Sequence, residues 1–477
     1  MTPDEFRRAG HALVEWIAAY RERLAEGGFP VQAQVAPGEL IGRLPAAAPE
    51  KGEPIDAILA DLDRLILPGI THWQHPRFFG YFPSGGSLTS VLGDMVSTGL
   101  GVIGLNWQAS PALTELEQVT TDWLRDLLGL SQAFSGVIQD TASAASFVAL
   151  VCARERATDY GAARTGLQGG TAPLVVYTSA QAHSSVEKAA LLAGFGRRHV
   201  RPIALDSAFR MDVPALEAAI REDRAAGLRP CAVVATTGTT ATTAMDPIAA
   251  IAAVARREEL WLHVDGAMGG SAMLLPECRH HWDGIEAADS IVVNPHKWLT
   301  IAFDCSLYLV RDPEHLVRVM STNPSYLQTA VDTQVRNYRD WGIPLGRRFR
   351  ALKLWLTLRE QGAEAIRARL RRDLANAQWL ASEVDAAPHW RAVAPVVLQT
   401  VCVRHEPPGL DGAALDAHAR RWTQAVNDSG AAYLTPAVVA GQWITRVSIG
   451  AELTEARHVA ELWQLMRGAA EVSAAAG

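Results

Sequence analysis

The stretch DSIVVNPHKWLT, residues 289–300, reads as an apolar strand that delivers a lysine into the interior behind Asn294, Pro295 and His296. A buried ammonium is disfavoured, and its pKa falls toward the range in which the free amine is a nucleophile. Lys297 is therefore costly where it stands unless something uses it. Upstream, LWLHVDG (260–266) places Asp265 just past a run too apolar to face solvent. A carboxylate there must find a cationic or hydrogen-bonded partner or suffer a raised pKa.

Working outward from these two segments, short apolar runs alternate with helical stretches from about residue 86 to 360. The runs are APLVVYTS (172–179), HVRPIAL (199–205), PCAVVATTGTT (230–240) and CSLYLVRD (305–312). The alternation predicts an α/β fold, a mostly parallel sheet with helices on both faces and ligand chemistry at the carboxyl ends of the strands. Residues 4 to about 85, including FRRAGHALVEWIAAYRERL and PIDAILADLDRLILPGI, carry apolar positions at helical spacing and are expected as helices joined by turns. The last part has a long charged helix, RAVAPVVLQTVCVRHE (391–406) and WITRVSIG (443–450) as strands, and a closing helix. Three domains follow: a helical segment over 1–85 that could clamp a second subunit, a large unit over 86–360 and a small α+β unit over 361–477. The alanine-rich tail after about residue 468 is expected to fray.

Bulk properties narrow the function. With 44 basic against 51 acidic residues, a net charge of -7, and basic residues scattered without aromatic interleaving, nucleic acid is not an expected partner. The N-terminus lacks the basic start and apolar core of a secretory signal, and no apolar run approaches the roughly 18 to 20 residues of a membrane span. The five cysteines are dispersed and odd in number, which points to reduced thiols in a cytosolic protein. PECRHHWDG (276–284) fits no zinc spacing, so no metal is expected, and LAGFGRR (192–198) lacks the third glycine of a dinucleotide fingerprint.

One cofactor answers both opening demands. Pyridoxal phosphate (PLP) forms a Schiff base with a lysine and needs a carboxylate at its pyridinium nitrogen. Its phosphate wants a turn of small residues at a helix N-terminus, and VIQDTASAASFVALVCARERA (137–157) supplies one, with Thr141, Ala142 and Ser143 opening a long helix. Each piece alone is weak; their ordered combination is not.

NPHKWL (294–299), HVDGAMGG (263–270), AHSSVEKA (182–189), YFPSGGS (81–87), NWQASPALTELE (106–117) and IPLGRRFRALKLW (343–355) resemble the motifs of the group II PLP-dependent amino acid decarboxylases, closest to the aromatic L-amino acid decarboxylases. The resemblance spans about residues 5 to 465. It implies the PLP-dependent transferase fold type I, a homodimer with active sites at the subunit interface, and decarboxylation of an aromatic amino acid (tryptophan, tyrosine, phenylalanine or dihydroxyphenylalanine) to the arylalkylamine.

Carried over residue by residue, the resemblance makes Lys297 the Schiff-base lysine and Asp265 the pyridinium partner. It stacks His183 on the ring, with Thr240 supporting that histidine by a hydrogen bond and Ala267 packing under the ring. Asn294 and His296 join Thr141, Ala142 and Ser143 around the phosphate. Trp73, Tyr81, Phe82 and Pro83 line the substrate pocket, with Ile103 and Leu105 supplied by the neighbouring subunit. Leu105 stands where many animal relatives carry phenylalanine, which widens the pocket, and Gly346 leaves space for an indole. Tyr326, in TNPSYLQTAVDTQVRNYRDWG (322–342), matches the mobile-loop tyrosine that protonates Cα, and Arg339 is expected to position that loop.

Three rivals share the motifs. Relatives form an aldehyde when the loop tyrosine is phenylalanine or the stacking histidine is asparagine; both Tyr326 and His183 are retained here. An aminotransferase would use an arginine such as Arg446 to grip the α-carboxylate, and a non-catalytic homologue would not need to retain Lys297, Asp265, His183 and Tyr326 together.

Overall fold

The computed structural model describes residues 1–168, 172–322 and 324–475, without the side chains of Gln168 and Tyr326. It forms two compact units: Met1–Pro83 with Asn376–Val393 and Val401–Gly477, and Ser84–Ala375 with Ala394–Thr400. No helix among the described residues is long and apolar enough to cross a membrane.

The larger unit is built on seven strands: β1 (Ser135–Gln139), β2 (Leu174–Ser179), β3 (Val200–Ile203), β4 (Arg229–Thr236), β5 (Trp261–Asp265), β6 (Ser290–Val293) and β7 (Ser306–Val310). Their order is β1-β7-β6-β5-β4-β2-β3. All neighbours are parallel except β7, which runs against both β1 and β6. Every residue of β2, β5, β6 and β7 is buried, the pattern of a sheet covered on both faces. The helix Ala142–Ala157 is apolar on all sides, burying Ala145, Val148, Ala149, Leu150 and Cys152 in the same core as Val176, Val234, Val292 and Tyr308. A helix without a polar face belongs inside.

β1 is not among the expected strands. Its sequence, SGVIQ, is too short and polar to show a period, and it becomes a strand by pairing Val137 with Tyr308 of β7. The opening stretch also differs from expectation. Its strand ends at Val293, and Lys297 sits in a turn closed by bonds from Lys297 N–H to the Asn294 carbonyl (3.0 Å) and from Ile301 N–H to the Pro295 carbonyl (3.2 Å). Pro295 has no N–H with which to continue a ladder.

The smaller unit holds the helices Pro3–Ala25, Glu39–Arg43 and Ile55–Asp61, the helices Gly412–Asp428 and Ala456–Ala475, and a second sheet. The strands of that sheet are β8 (Trp390–Ala392), β9 (Thr400–His405), β10 (Thr435–Val439) and β11 (Gln442–Ser448), in the order β10-β11-β9-β8. The helical reading of residues 4 to 85 fails beyond residue 70. There the chain is drawn out against the small sheet: Tyr433 N–H donates to the Arg77 carbonyl (3.2 Å), Phe79 N–H to the Tyr433 carbonyl (2.9 Å) and Ser448 N–H to the Phe79 carbonyl (2.9 Å). The single strand expected over 391–406 is two, β8 and β9, separated by a segment containing Pro395. β10 escapes a sequence reading because Pro436 argues against a strand, yet at the end of the sheet its missing donor costs nothing.

A buried ion pair closes the end of β1. Arg347 meets Glu117 through both guanidinium NH groups (3.0 and 2.6 Å), and the two side chains clamp Ile138, Glu117 accepting its N–H (2.8 Å) and Arg347 donating to its carbonyl (2.7 Å). The Arg347 carbonyl in turn accepts the Gly104 N–H at 2.9 Å. One pair thus fixes β1, the turn at Gly346 and the loop at 103–105. Glu117→Leu leaves Arg347 as an unpaired buried charge and is expected to cost about 3–5 kcal/mol of unfolding free energy. Urea denaturation of the two proteins checks this; a loss below about 1 kcal/mol would mean that the pair does not hold the strand end.

Candidate active site

In the larger unit the candidate residues stand where strands hand over to helices and turns. His183 caps the helix Ser184–Leu192, which follows β2, and Thr141 caps the helix Ala142–Ala157, which follows β1. Asp265 ends β5, and Asn294, His296 and Lys297 follow β6. A parallel sheet gathers these ends along one edge although they are scattered in sequence.

Asp265 is almost wholly buried, at 4% exposure, and its Oδ1 accepts the Ala267 N–H at 3.0 Å. Among the described residues its Oδ2 meets no donor. The His183 imidazole lies within electrostatic reach of both Lys297 and Asp265. Burial, and then the Lys297 ammonium, hold His183 below its ordinary pKa, against the opposing pull of Asp265. A neutral ring is the consequence. Its Nδ1 pairs with the Ser185 hydroxyl at 2.8 Å. The hydrogen bond expected from Thr240 is not made among the described residues; as helix cap, the imidazole folds over its own first turn, where Ser185 is nearer.

Ala267 and Asn294 are bonded neighbours, the Asn294 N–H donating to the Ala267 carbonyl at 3.0 Å, while Asn294 Oδ1 accepts the Ser306 hydroxyl at 2.5 Å. His296 accepts the Cys305 N–H on Nδ1 at 3.0 Å and is pushed down to about 4 by burial and then by Lys297. At the start of the helix Ala142–Ala157, the Thr141 hydroxyl accepts the Ala144 N–H at 3.4 Å, and among the described residues the N–H groups of Ala142 and Ser143 have no acceptor. That helix end is a ready anion site.

Ile103, Leu105 and Gly346 also come together: a Cβ on Gly346 would lie 3.4 Å from Ile103 Cγ2 and 3.9 Å from Leu105 Cδ2. In the smaller unit, Trp73 stacks on Tyr81 (centroids 5.3 Å apart, planes at 10°), and Phe82 lies under the Arg446 guanidinium at 5.0 Å. Arg446 donates to the Tyr81 carbonyl at 3.2 Å. Pro83 follows as the last residue of that segment. The Tyr326 side chain lies outside the described residues; its backbone is in the turn Ser325–Leu327, whose Leu327 carbonyl accepts from buried Arg339 at 2.9 Å. Among the described residues no cluster of histidine, cysteine and carboxylate side chains could hold a metal ion.

The chain as a whole matches a family. The model described as the pyridoxal-dependent decarboxylase conserved domain fits residues 37–406. The chain belongs to the pyridoxal-dependent decarboxylase family. It is 39% identical to phenylacetaldehyde synthase of Arabidopsis thaliana over 98% of this chain and 96% of that one, and 40% identical to tyrosine decarboxylase 4 of Petroselinum crispum over 99% and 94%. The crystal structure of Oryza sativa TDC with PLP and tryptamine superposes with a TM-score of 0.95 at 35% identity, covering 99% of this chain and 98% of that one. The decarboxylase is accordingly a carboxy-lyase of the PLP-dependent transferase fold, and its coenzyme is PLP. Its residues fit that group: a buried carboxylate with one oxygen open, a lysine and a neutral imidazole within its field, and a helix start with two N–H groups to spare.

The framework behind these residues was not read from the sequence. Trp298, next to Lys297, is fully buried and donates from Nε1 to Asp373 at 2.9 Å; burial pushes that carboxyl up to about 6. Arg369 bonds the Thr300 hydroxyl and reaches the Trp298 carbonyl at 3.4 Å, so the turn carrying Lys297 is held from the helical stretch Ala351–Ala386, beyond its break at Gly362. His263, two residues before Asp265 on the same face of β5, pairs with Ser290 (2.9 Å) and Ser146 (3.4 Å). The histidine in HVDG was a visible clue; its partners were not.

Burial drives His263 down to about 4 from the 6.5 of an exposed histidine. The folded protein therefore binds fewer protons than the unfolded chain between those values, and the stability that neutral His263 contributes is complete above pH 6.5 and lost as the pH falls toward 4. His263→Gln should flatten the rise of unfolding free energy with pH in that window by up to about 1.4 kcal/mol per pH unit. Urea unfolding at pH 4.5, 5.5, 6.5 and 7.5 measures the slope, and an unchanged slope would show that His263 does not stay neutral.

Proposed function

We propose that this decarboxylase converts aromatic L-amino acids to arylalkylamines and carbon dioxide. The observation that carries the reading is similarity along nearly the whole chain to proteins named for work on aromatic amino acids, tyrosine decarboxylase 4 among them, in a chain that keeps both His183 and Tyr326. When bound, PLP supplies a protonated ring that accepts the electron pair released as the carboxylate leaves.

The chain's own residues divide the remaining work. Lys297 would tether the coenzyme through its amine. Asp265 holds the proton on the ring nitrogen through its open oxygen. Neutral His183 stacks on the ring without adding a second positive charge to it. Ala142 and Ser143 N–H groups, the Thr141 hydroxyl, Asn294 and His296 would hold the phosphate, and Ala267 would pack beneath the ring. Trp73, Tyr81, Phe82 and Pro83 contact the substrate, orienting its carboxylate for loss. Tyr326 returns a proton to Cα, and Arg339, by holding the Leu327 carbonyl, sets the turn from which it acts.

The working form is a homodimer in which Ile103 and Leu105 serve the neighbouring subunit's site, Gly346 leaving space beside them, with the N-terminal helices of residues 1–85 as the clamp. Support comes from the helix Leu88–Leu100, which exposes Leu88, Leu92, Met95, Val96 and Leu100 as one stripe continued by Ile103. A monomer gains nothing from such a stripe. The five cysteines are all free and buried, as suits a cytosolic enzyme.

Aldehyde formation is the second reading, favoured by similarity to phenylacetaldehyde synthase. A panel of tryptophan, tyrosine, phenylalanine and dihydroxyphenylalanine, scored for carbon dioxide, amine, aldehyde and peroxide, separates the two: amine should dominate, and stoichiometric aldehyde and peroxide would overturn the first reading. Tyr326→Phe should divert product to aldehyde, and an undiminished amine yield would remove its protonation role. Leu92→Asp should shift the protein to monomers in light scattering and abolish turnover; a stable, active dimer would move the interface elsewhere.

A further inference from the structure

Tyr81 is held with unusual completeness for a residue 47% exposed. Its φ of 48° is left-handed, a conformation that a bulky side chain adopts only when its surroundings impose it. Its N–H donates to Thr435 Oγ1 at 2.7 Å and its carbonyl accepts from Arg446 at 3.2 Å. Its ring stacks on Trp73, itself 37% exposed. The phenol is bound too, accepting the hydroxyl of Tyr433 at 3.0 Å. Thr435 opens β10 and Arg446 lies in β11, so the small sheet supplies both backbone anchors, and Tyr433, two residues ahead of β10, supplies the phenol's.

Tyr433 is well placed for this. Its backbone is bonded on both sides to the 77–79 segment, its ring lies against Phe78 (5.5 Å, 21°), and Gly80 leaves the room it needs, since a Cβ there would come within 2.3 Å of that ring. Less exposed than Tyr81, it has the Tyr81 oxygen as acceptor for its proton. The Tyr81 O–H is then left to point away, and among the described residues it meets no acceptor. A phenol that accepts one hydrogen bond becomes a better donor of the next.

We propose that Tyr433 is a positioning residue for the substrate: it fixes Tyr81 so that the Tyr81 hydroxyl donates to an oxygen of the aromatic amino acid, either its carboxylate or a ring hydroxyl. This rests on the reading that Tyr81 contacts substrate. Loss of the Tyr433 hydroxyl frees the Tyr81 phenol to rotate and weakens substrate binding, while coenzyme loading and the chemistry at Cα are untouched.

The test uses the PLP-loaded wild type, Tyr433→Phe, Tyr81→Phe and the double variant, with phenylalanine and tyrosine as substrates. Calorimetric binding of 3-phenylpropanoate and 3-(4-hydroxyphenyl)propanoate, which lack the amine and cannot react, adds a readout independent of turnover. Tyr433→Phe should raise KM and weaken the propanoates by about 2- to 10-fold, the range of one hydrogen bond, with kcat within about twofold and the coenzyme absorbance unchanged. The double variant should bind no worse than the weaker single one, because both remove the same contact. An effect confined to the hydroxylated pair identifies a ring oxygen as the acceptor, and an equal effect on both pairs identifies the carboxylate. Wild-type binding in Tyr433→Phe, effects that multiply in the double variant, or a loss confined to kcat would overturn the proposal. Should the wild type turn over neither amino acid, the aromatic-substrate reading itself fails, a result distinct from a silent Tyr433→Phe in an active enzyme.

Discussion

A carboxyl group taken out of water must be repaid by partners, and among the described residues the hydrogen bond to the Asp265 side chain comes from the N–H of Ala267. Its second oxygen meets no donor among the described residues, and the His183 imidazole lies within electrostatic reach of both Asp265 and Lys297. Such an arrangement is poor as a structural device and good as a receptor for a ring that carries a proton. The coenzyme completes it. Around that requirement the other choices make sense: a histidine kept neutral where another positive charge would compete for Asp265, and a helix start whose N–H groups await an anion.

Holding the open carboxylate and the lysine in register takes rigid supports from elsewhere in the larger unit. His263 locks β5 to β6 and to the helix Ala142–Ala157 through Ser290 and Ser146. Asp373 and Arg369 hold the turn around Lys297, and Glu117 with Arg347 closes the end of β1 just ahead of Thr141. His263, Asp373, Glu117 and Arg347 are polar and deeply buried, which is expensive unless each is satisfied, and satisfied networks of this kind admit few alternative geometries. The smaller unit repeats the strategy at Tyr81, where one exposed ring is tied by its N–H, its carbonyl and its hydroxyl.

Much of this was legible where chemistry forces a local signature. Apolar runs that end in Asp265 or lead to Lys297 cannot be ordinary strands, because charge at the end of a buried run demands an explanation, and six of the seven strands of the large sheet announce themselves by β-branched and aromatic runs. β1 did not, because SGVIQ has no period of its own. Nor did the extended course of residues 77–79, where the Arg77 carbonyl and both backbone groups of Phe79 pair with Tyr433 and Ser448, far along the chain. Thr240 shows the converse: the resemblance assigns it to His183, yet the imidazole takes Ser185, two positions along its own helix, as partner.

The sequence by itself determined which residue types could carry the chemistry and that a parallel sheet would bring strand ends to one edge, since hydrophobic pattern and the cost of buried charge act locally. Only the tertiary structure decided which neighbours hold those residues in place. Hydrogen-bond partners such as Asp373 for Trp298, Arg347 for Glu117 and Tyr433 for Tyr81 lie 75, 230 and 352 residues apart, and a contact at such separation is selected by packing in three dimensions, which no window of sequence contains.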